Sequence, residues 1–339
     1  MKFDVVVGNP PYQTEAGGTS TSDDPIYHHF YDLAEKVGEE YILITPARFL
    51  FKAGKTPKAW NIKMLEDPHN KVVYYEQKAA NVFPNTDIKG GVVVLYHNNR
   101  ENFGEIGTFT SYPELNSIMK KVLTNDFKSI ASIVYTQTKF NLDTLYTDYP
   151  AYKKILGNNG KDRRFDKPIF SRLDVFTEEA SDEPSYKILG RHDNKRVWRY
   201  IPQKYVESHE NLIKWKVILP VSNGSGTLGE VLSTPLIGAP LVGYTRSFIS
   251  IGSFESKIEA EALLKYIKSK FLRTMLGILK VTQDNTAEKW EKVPLLDFTF
   301  NSDIDWIKSI SEIDQQLYKK FGLNQKEIQF IEDKVKPMD

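Results

Sequence analysis

Phe3-Asp4-Val5-Val6-Val7-Gly8-Asn9-Pro10-Pro11-Tyr12 is the stretch on which the reading of this chain turns. The run to Gly8 is apolar and β-branched, the pattern of a buried strand. Pro10 and Pro11 end it, because neither can donate to a β-ladder. Residues 14–24 follow, rich in Gly, Ser, Thr and Asp, and read as a mobile loop. Over Pro25–Val37 the spacing of Ile26, Phe30, Leu33, Ala34 and Val37 predicts a helix, stopped by Gly38. Tyr41–Thr45 reads as a second buried strand, closed by Pro46. A helix with Trp60, Met64 and Leu65 on its apolar side comes next, and Ile62 falls off that side. Lys71–Tyr75 reads as a third strand and Gly91–Tyr96 as a fourth, the latter after the turn-like Pro84-Asn85-Thr86-Asp87. Strands separated by helices predict a parallel-rich α/β sheet. In such sheets ligands bind beyond the carboxyl ends of the strands.

The pattern stops near residue 100. Beyond it a helix is expected over about 112–125, then loops and short strands. An amphipathic helix is expected over Lys257–Leu279, another over Lys308–Phe321 stopped by Gly322, and a third near Gln325–Val335. The full chain of 339 residues is about two domains long at roughly 150 residues each. It has no cysteine, which excludes disulfides, thiolate zinc sites, iron–sulfur clusters and a cysteine nucleophile. No apolar run approaches the roughly 18 residues of a membrane helix, and the first residues lack a signal-peptide pattern, so a cytoplasmic location is expected. His28–His29 are the only adjacent histidines, without the spacing of a metal site.

The net charge is +1 but unevenly spread. Residues 1–150 carry 15 basic and 18 acidic side chains, residues 151–204 carry 13 and 8, and residues 205–339 carry 17 and 18. The middle block also holds Tyr152, Phe165, Phe170, Tyr186, Trp198 and Tyr200. Basic residues interleaved with aromatics suit nucleic acid.

Asn9–Tyr12 has a specific chemistry. An aromatic exocyclic amine is a poor nucleophile because its lone pair is delocalised into the ring. Two acceptors on its hydrogens draw the nitrogen towards a pyramidal, reactive form. Asn9 offers an amide oxygen. Pro10 offers a carbonyl on a backbone of locked φ. Tyr12 offers a face on which an extruded base can stack.

With its leading strand, this motif resembles the catalytic motif of N6-adenine DNA methyltransferases of restriction–modification systems, of the type II (IIG-like) kind. Ile44-Thr45-Pro46-Ala47-Arg48-Phe49-Leu50 resembles the strand–Pro–x–x–Phe–Leu element that follows in that family. Val82-Phe83-Pro84-Asn85-Thr86-Asp87-Ile88-Lys89-Gly90-Gly91 resembles the family loop whose aromatic packs against the flipped adenine, and Phe83 is the matching position. Trp306–Glu332 resembles the C-terminal helices of the large type II enzymes. The resemblance implies S-adenosylmethionine as donor and base flipping. It also implies a DNA target recognition domain after the catalytic part. On that reading residues 1–110 are the C-terminal half of a Rossmann-like catalytic domain, 111–300 an α+β recognition domain and 301–339 a helical segment. Lys161, Arg163, Arg164, Arg191, Lys195, Arg196 and Arg199 are the candidate contacts to double-stranded DNA.

One departure shapes the expectation. The family's glycine-rich donor-binding motif precedes Asn-Pro-Pro-Tyr by many residues, whereas eight residues precede Asn9. Val221–Gly229 and Gly238–Gly243 are glycine-rich, but both read as loops of the recognition domain. About four of the seven strands implied by the resemblance are accounted for. The Val5-Val6-Val7 strand is then expected to leave an apolar edge unpaired. That edge calls for a further N-terminal segment or a second polypeptide, carrying the donor-binding half or serving as a restriction subunit. Alternatives are a DNA-recognition module without activity of its own, and methylation of RNA or of a glutamine side chain.

Overall fold

The computed structural model describes residues 3–14, 24–52, 55–84, 86, 88, 90–124, 126–157, 162–193, 195–224, 226–280 and 283–338. Most of the 14–24 loop read from the sequence therefore lies outside the described residues. The chain divides into two compact units, Met1–Asn116 and Ser117–Asp339.

The first unit contains β1 (Phe3–Gly8), α1 (Tyr27–Val37), β2 (Gly38–Pro46), α2 (Lys58–Glu66), β3 (Asn70–Glu76) and β4 (Val92–Asn98); the division falls inside α3 (Pro113–Val122). The sheet order is β1-β2-β4-β3. Only β1 and β2 pair in parallel; β4 runs antiparallel to both β2 and β3. This corrects the expected parallel-rich sheet. Between β3 and β4 the described residues hold a 3-10 turn at Ala79–Asn81 and no long crossover helix, so the chain reverses and β4 slots in antiparallel.

Each face of this sheet has a different fate. On one, Val6, Tyr41, Leu43, Val93 and Leu95 pack against Tyr27, Tyr31 and Ala34 of α1, Trp60, Met64 and Leu65 of α2, and Phe49 and Leu50. Ile62 is exposed, as its position off the helix face requires. The opposite face carries Phe3, Val5 and Val7 of β1, with Ile42 and Ile44 beside them, then Val94 and Tyr96, then Tyr74. Phe3 is 57%, Val5 48% and Val7 74% exposed, and Ile42, Ile44, Val94 and Tyr96 are only half-buried. β1, expected as a buried strand, therefore has no fully buried residue: Val6 and Gly8 are half-buried and the others exposed. Among the described residues its outer edge is also unpaired.

The second unit contains β5 (Val134–Tyr135), α4 (Leu142–Asp148), α5 (Tyr152–Leu156), α6 (Ile169–Arg172), β6 (Ser185–His192), β7 (Lys195–Pro202), β8 (Trp215–Pro220), β9 (Leu236–Gly238), β10 (Val242–Tyr244), β11 (Phe248–Phe254), α7 (Lys257–Lys268), α8 (Lys270–Leu276), α9 (Ile310–Lys320) and α10 (Gln325–Lys334). Its sheets have the orders β10-β6-β7 and β5-β11-β8-β9. The single helix expected over Lys257–Leu279 is two helices. Ser269 is extended (φ −61°, ψ 149°) and caps α8 by accepting from Leu272 N. The Asp314 carboxylate accepts from the free N–H groups of Lys270 (3.0 Å) and Phe271 (2.9 Å). A break in one helix is thus stabilised by a carboxylate on another. Capping boxes at Ser256/Glu259, Ser309/Glu312 and Asn324/Glu327 start α7, α9 and α10. Among the described residues no helix is long and apolar enough to cross a membrane.

Gly91, at the entrance to β4, has φ +81°, and a Cβ there would lie 2.3 Å from the Glu76 carbonyl oxygen. Gly91→Ala should cost the first unit at least about 2 kcal/mol. Faster hydrogen exchange of the β4 amides is the expected readout; unchanged protection would show that the site tolerates a side chain.

Candidate active site

The strand directions determine where the loops meet. β1, β2 and β3 all end at one rim of the sheet, and β4 begins there. The segments that follow Gly8, Pro46 and Glu76 and the one that precedes Val92 therefore meet at the same rim. One backbone bond ties two of them, Ala47 N donating to Gly91 O (2.9 Å), and Gly91 N donates within its own loop to Ile88 O (3.0 Å). The first loop closes on itself through Thr14 N to Asp24 O (3.0 Å) and Ile26 N to Tyr12 O (3.1 Å).

Asn9 is exposed at the end of β1, and Pro10 and Tyr12 are half-buried. The rings of Tyr12 and Phe83 meet with centroids 6.5 Å apart and planes at 62°. Phe83 is half-buried and held by its backbone: its N–H donates to Ala79 O (2.8 Å), and the Thr86 hydroxyl donates to its carbonyl (2.6 Å). Two residues 71 positions apart in sequence thus share one mouth beside Asn9. The Tyr12 hydroxyl is buried without a hydrogen bond of ordinary geometry. Burial raises its pKa; the nearby Asn9 side chain opposes this.

Tyr31 is fully buried, its hydroxyl 2.9 Å from Thr45 Oγ1 at the end of β2. Burial raises its pKa, and the Tyr27 and Tyr12 phenols add to the effect. The sequence reading does not single out Tyr31. Its signal is the Tyr27/Tyr31 spacing of one helical turn, which core aromatics share. His28 is buried, its ring 3.9 Å from that of His29 and 5.7 Å from that of Trp60. Neither glycine-rich stretch leads into a helix. Residues 221–229 run from β8 towards β9, with the Asn223 carbonyl accepting from Lys280 Nζ (2.8 Å), and residues 238–243 join β9 to β10. The described residues therefore do not form the strand–turn–helix cradle that a nucleoside donor requires.

In the second unit the candidate DNA contacts separate. Lys161 lies outside the described residues. Arg163 is exposed and 4.0 Å from Glu207. Arg164 is half-buried in a backbone bridge with Lys139. Arg191, Lys195 and Arg196 gather at the end of the β6–β7 hairpin, with Arg191 directly opposite Arg196. Arg199, three residues further along β7, points to the other face and pairs with Glu178 at 2.7 Å.

Residues 1–83 match the family model described as Eco57I restriction-modification methylase. An uncharacterized adenine-specific methylase of Mycoplasma pneumoniae is 30% identical over 112 residues, which is 32% of this chain and 26% of that protein. Among solved structures, the type IIG restriction endonuclease BpuSI matches 97% of this chain and 52% of its own at 11% identity, with a TM-score of 0.36. The type IIL restriction-modification enzyme MmeI, solved with DNA, matches 98% and 56% at 9% identity, with a TM-score of 0.35. Such scores are too low to equate the folds. Over residues 1–83, which hold the Asn-Pro-Pro-Tyr motif, the chain is similar to the Eco57I restriction-modification methylases.

Proposed function

We propose that this chain supplies the adenine pocket and the DNA contacts of an N6-adenine DNA methyltransferase in a restriction–modification system. The observation that carries the reading is the convergence of Tyr12 and Phe83 on one mouth beside the exposed Asn9. In it, an adenine leaves the duplex and its ring stacks on Tyr12, with Phe83 bounding the pocket. The Asn9 amide oxygen and the Pro10 carbonyl accept the two amino hydrogens. Both acceptors sit on backbone held by β1 and two prolines, so little reorganisation accompanies reaction. The exposed mouth leaves the amino proton a route to water.

S-adenosylmethionine is the methyl donor that the reading requires. Because the described residues do not form its cradle, the donor site belongs to a further polypeptide segment or a second subunit. The open β1 edge and the apolar face running from Val7 to Tyr74 support this, since a sheet edge and face of that kind are where another unit adds on. By itself the chain then acts as a recognition module, and calorimetry of the lone chain should detect no micromolar binding of the donor.

Methyl transfer is to be followed on duplex DNA, RNA and protein with the chain co-expressed beside its neighbouring reading frames. Label in adenine of duplex DNA is the expected result; label only in RNA or protein would overturn the reading. Asn9→Ala should lower the rate by about 10²–10³ with duplex affinity unchanged. Tyr12→Phe should keep activity and leave stability within about 0.5 kcal/mol, because the lost hydroxyl makes no hydrogen bond of ordinary geometry. Tyr12→Ala should lose base stacking of about 1–3 kcal/mol, read as weaker fluorescence of 2-aminopurine extruded from the duplex. Val7→Asp should leave the lone chain folded and abolish its association with the donor-binding unit, measured by co-purification.

A further inference from the structure

We propose that Arg191 and Arg196, facing each other across the β6–β7 ladder, clamp a backbone phosphate of duplex DNA. The inference rests on the DNA-methylation reading and assigns one contact within it.

Cross-strand partners lie only about 5 Å apart at Cβ, and like charges so placed repel. Here two guanidinium groups occupy one such pair. Four basic groups elsewhere in the unit sit beside carboxylates: Arg199 by Glu178 (2.7 Å), Lys204 by Asp148 (3.2 Å), Arg246 by Asp166 (3.6 Å) and Arg163 by Glu207 (4.0 Å). Among the described residues no carboxylate lies within 4.0 Å of Arg191, Lys195 or Arg196; the nearby Asp193 instead faces His192 at 3.6 Å. An uncompensated pair of this geometry matches a phosphate, which two guanidinium forks can grip together.

The tip is also held ready. β10 pairs along β6, and Gly190 is pressed against the Phe170 ring, where a Cβ would lie 2.2 Å away. Arg196 donates to Thr234 O (2.9 Å), and its guanidinium lies 5.7 Å from the Phe248 ring centre. Arg191 is exposed, and among the described residues no ion pair holds it, so it is placed to complete the grip. Burial, and then the neighbouring Arg191, lower the Arg196 pKa, in keeping with a pair that lacks its counter-charge.

The test is fluorescence anisotropy of the full chain with a labelled duplex of mixed sequence over a series of salt concentrations. Arg191→Gln, which breaks no internal contact, should reduce the slope of log K against log salt by about 0.9, the value of one phosphate contact. Arg191→Lys should retain the slope and Arg199→Gln should not change it. An unchanged slope in Arg191→Gln, or an equal loss in Arg199→Gln, overturns the clamp while the DNA reading stands. A parent chain with no salt-dependent duplex binding overturns both.

Discussion

Gly91 joins two loops and the end of β3 at one point. Its carbonyl accepts from Ala47 after β2, its nitrogen donates to Ile88 O within the loop that carries Phe83, and a Cβ on it would lie 2.3 Å from the Glu76 carbonyl oxygen at the end of β3. Only a residue without Cβ, at φ +81°, can hold all three. Because β4 enters there, the loop carrying Phe83 returns to the rim at which β1 ends. The pairing of Phe83 with Tyr12, and so the candidate pocket, depends on that close approach of backbones.

The sheet around it is finished on one side. Helices α1 and α2 bury one face with aromatic packing that includes Tyr31, Phe49 and Trp60. Burying such side chains contributes about 1.5–3 kcal/mol each, ample reason for this face to be rigid. The other face carries Val5, Val7, Ile42, Ile44 and Val94 exposed or half-buried beside Glu40 and Lys71, and among the described residues it ends at an unpaired β1 edge. A soluble sheet rarely leaves both a hydrophobic face and a strand edge open. The asymmetry fits a chain that holds the base-binding rim and takes its donor site from elsewhere.

The basic residues of the middle block have two uses. Arg199, Arg163 and Lys204 sit beside carboxylates and link segments of the second unit, where exposed pairs contribute at most about 1 kcal/mol each. Arg191 and Arg196 sit beside each other instead. Composition places both groups in one positive block, and only the partners separate them.

Much was legible along the chain because the signals are local. Prolines end β1 for want of an N–H, Gly38 stops α1, and residue types alone mark Asn9, Pro10 and Tyr12 as acceptors and a stacking face. Phe83 was legible only through resemblance. The direction of β4, the break at Ser269 stabilised by Asp314 of another helix, the bond between the buried Tyr31 and Thr45 and the opposite facing of Arg191 and Arg199 were not. Each depends on which distant segment pairs with which and in what register, and a one-residue change of register turns a side chain to the other face. The sequence by itself determined the elements and the chemistry of the motif. The tertiary structure decided which side chains share a mouth, which charges find partners and which face stays bare, because long-range pairing settles those matters and neighbouring residues do not.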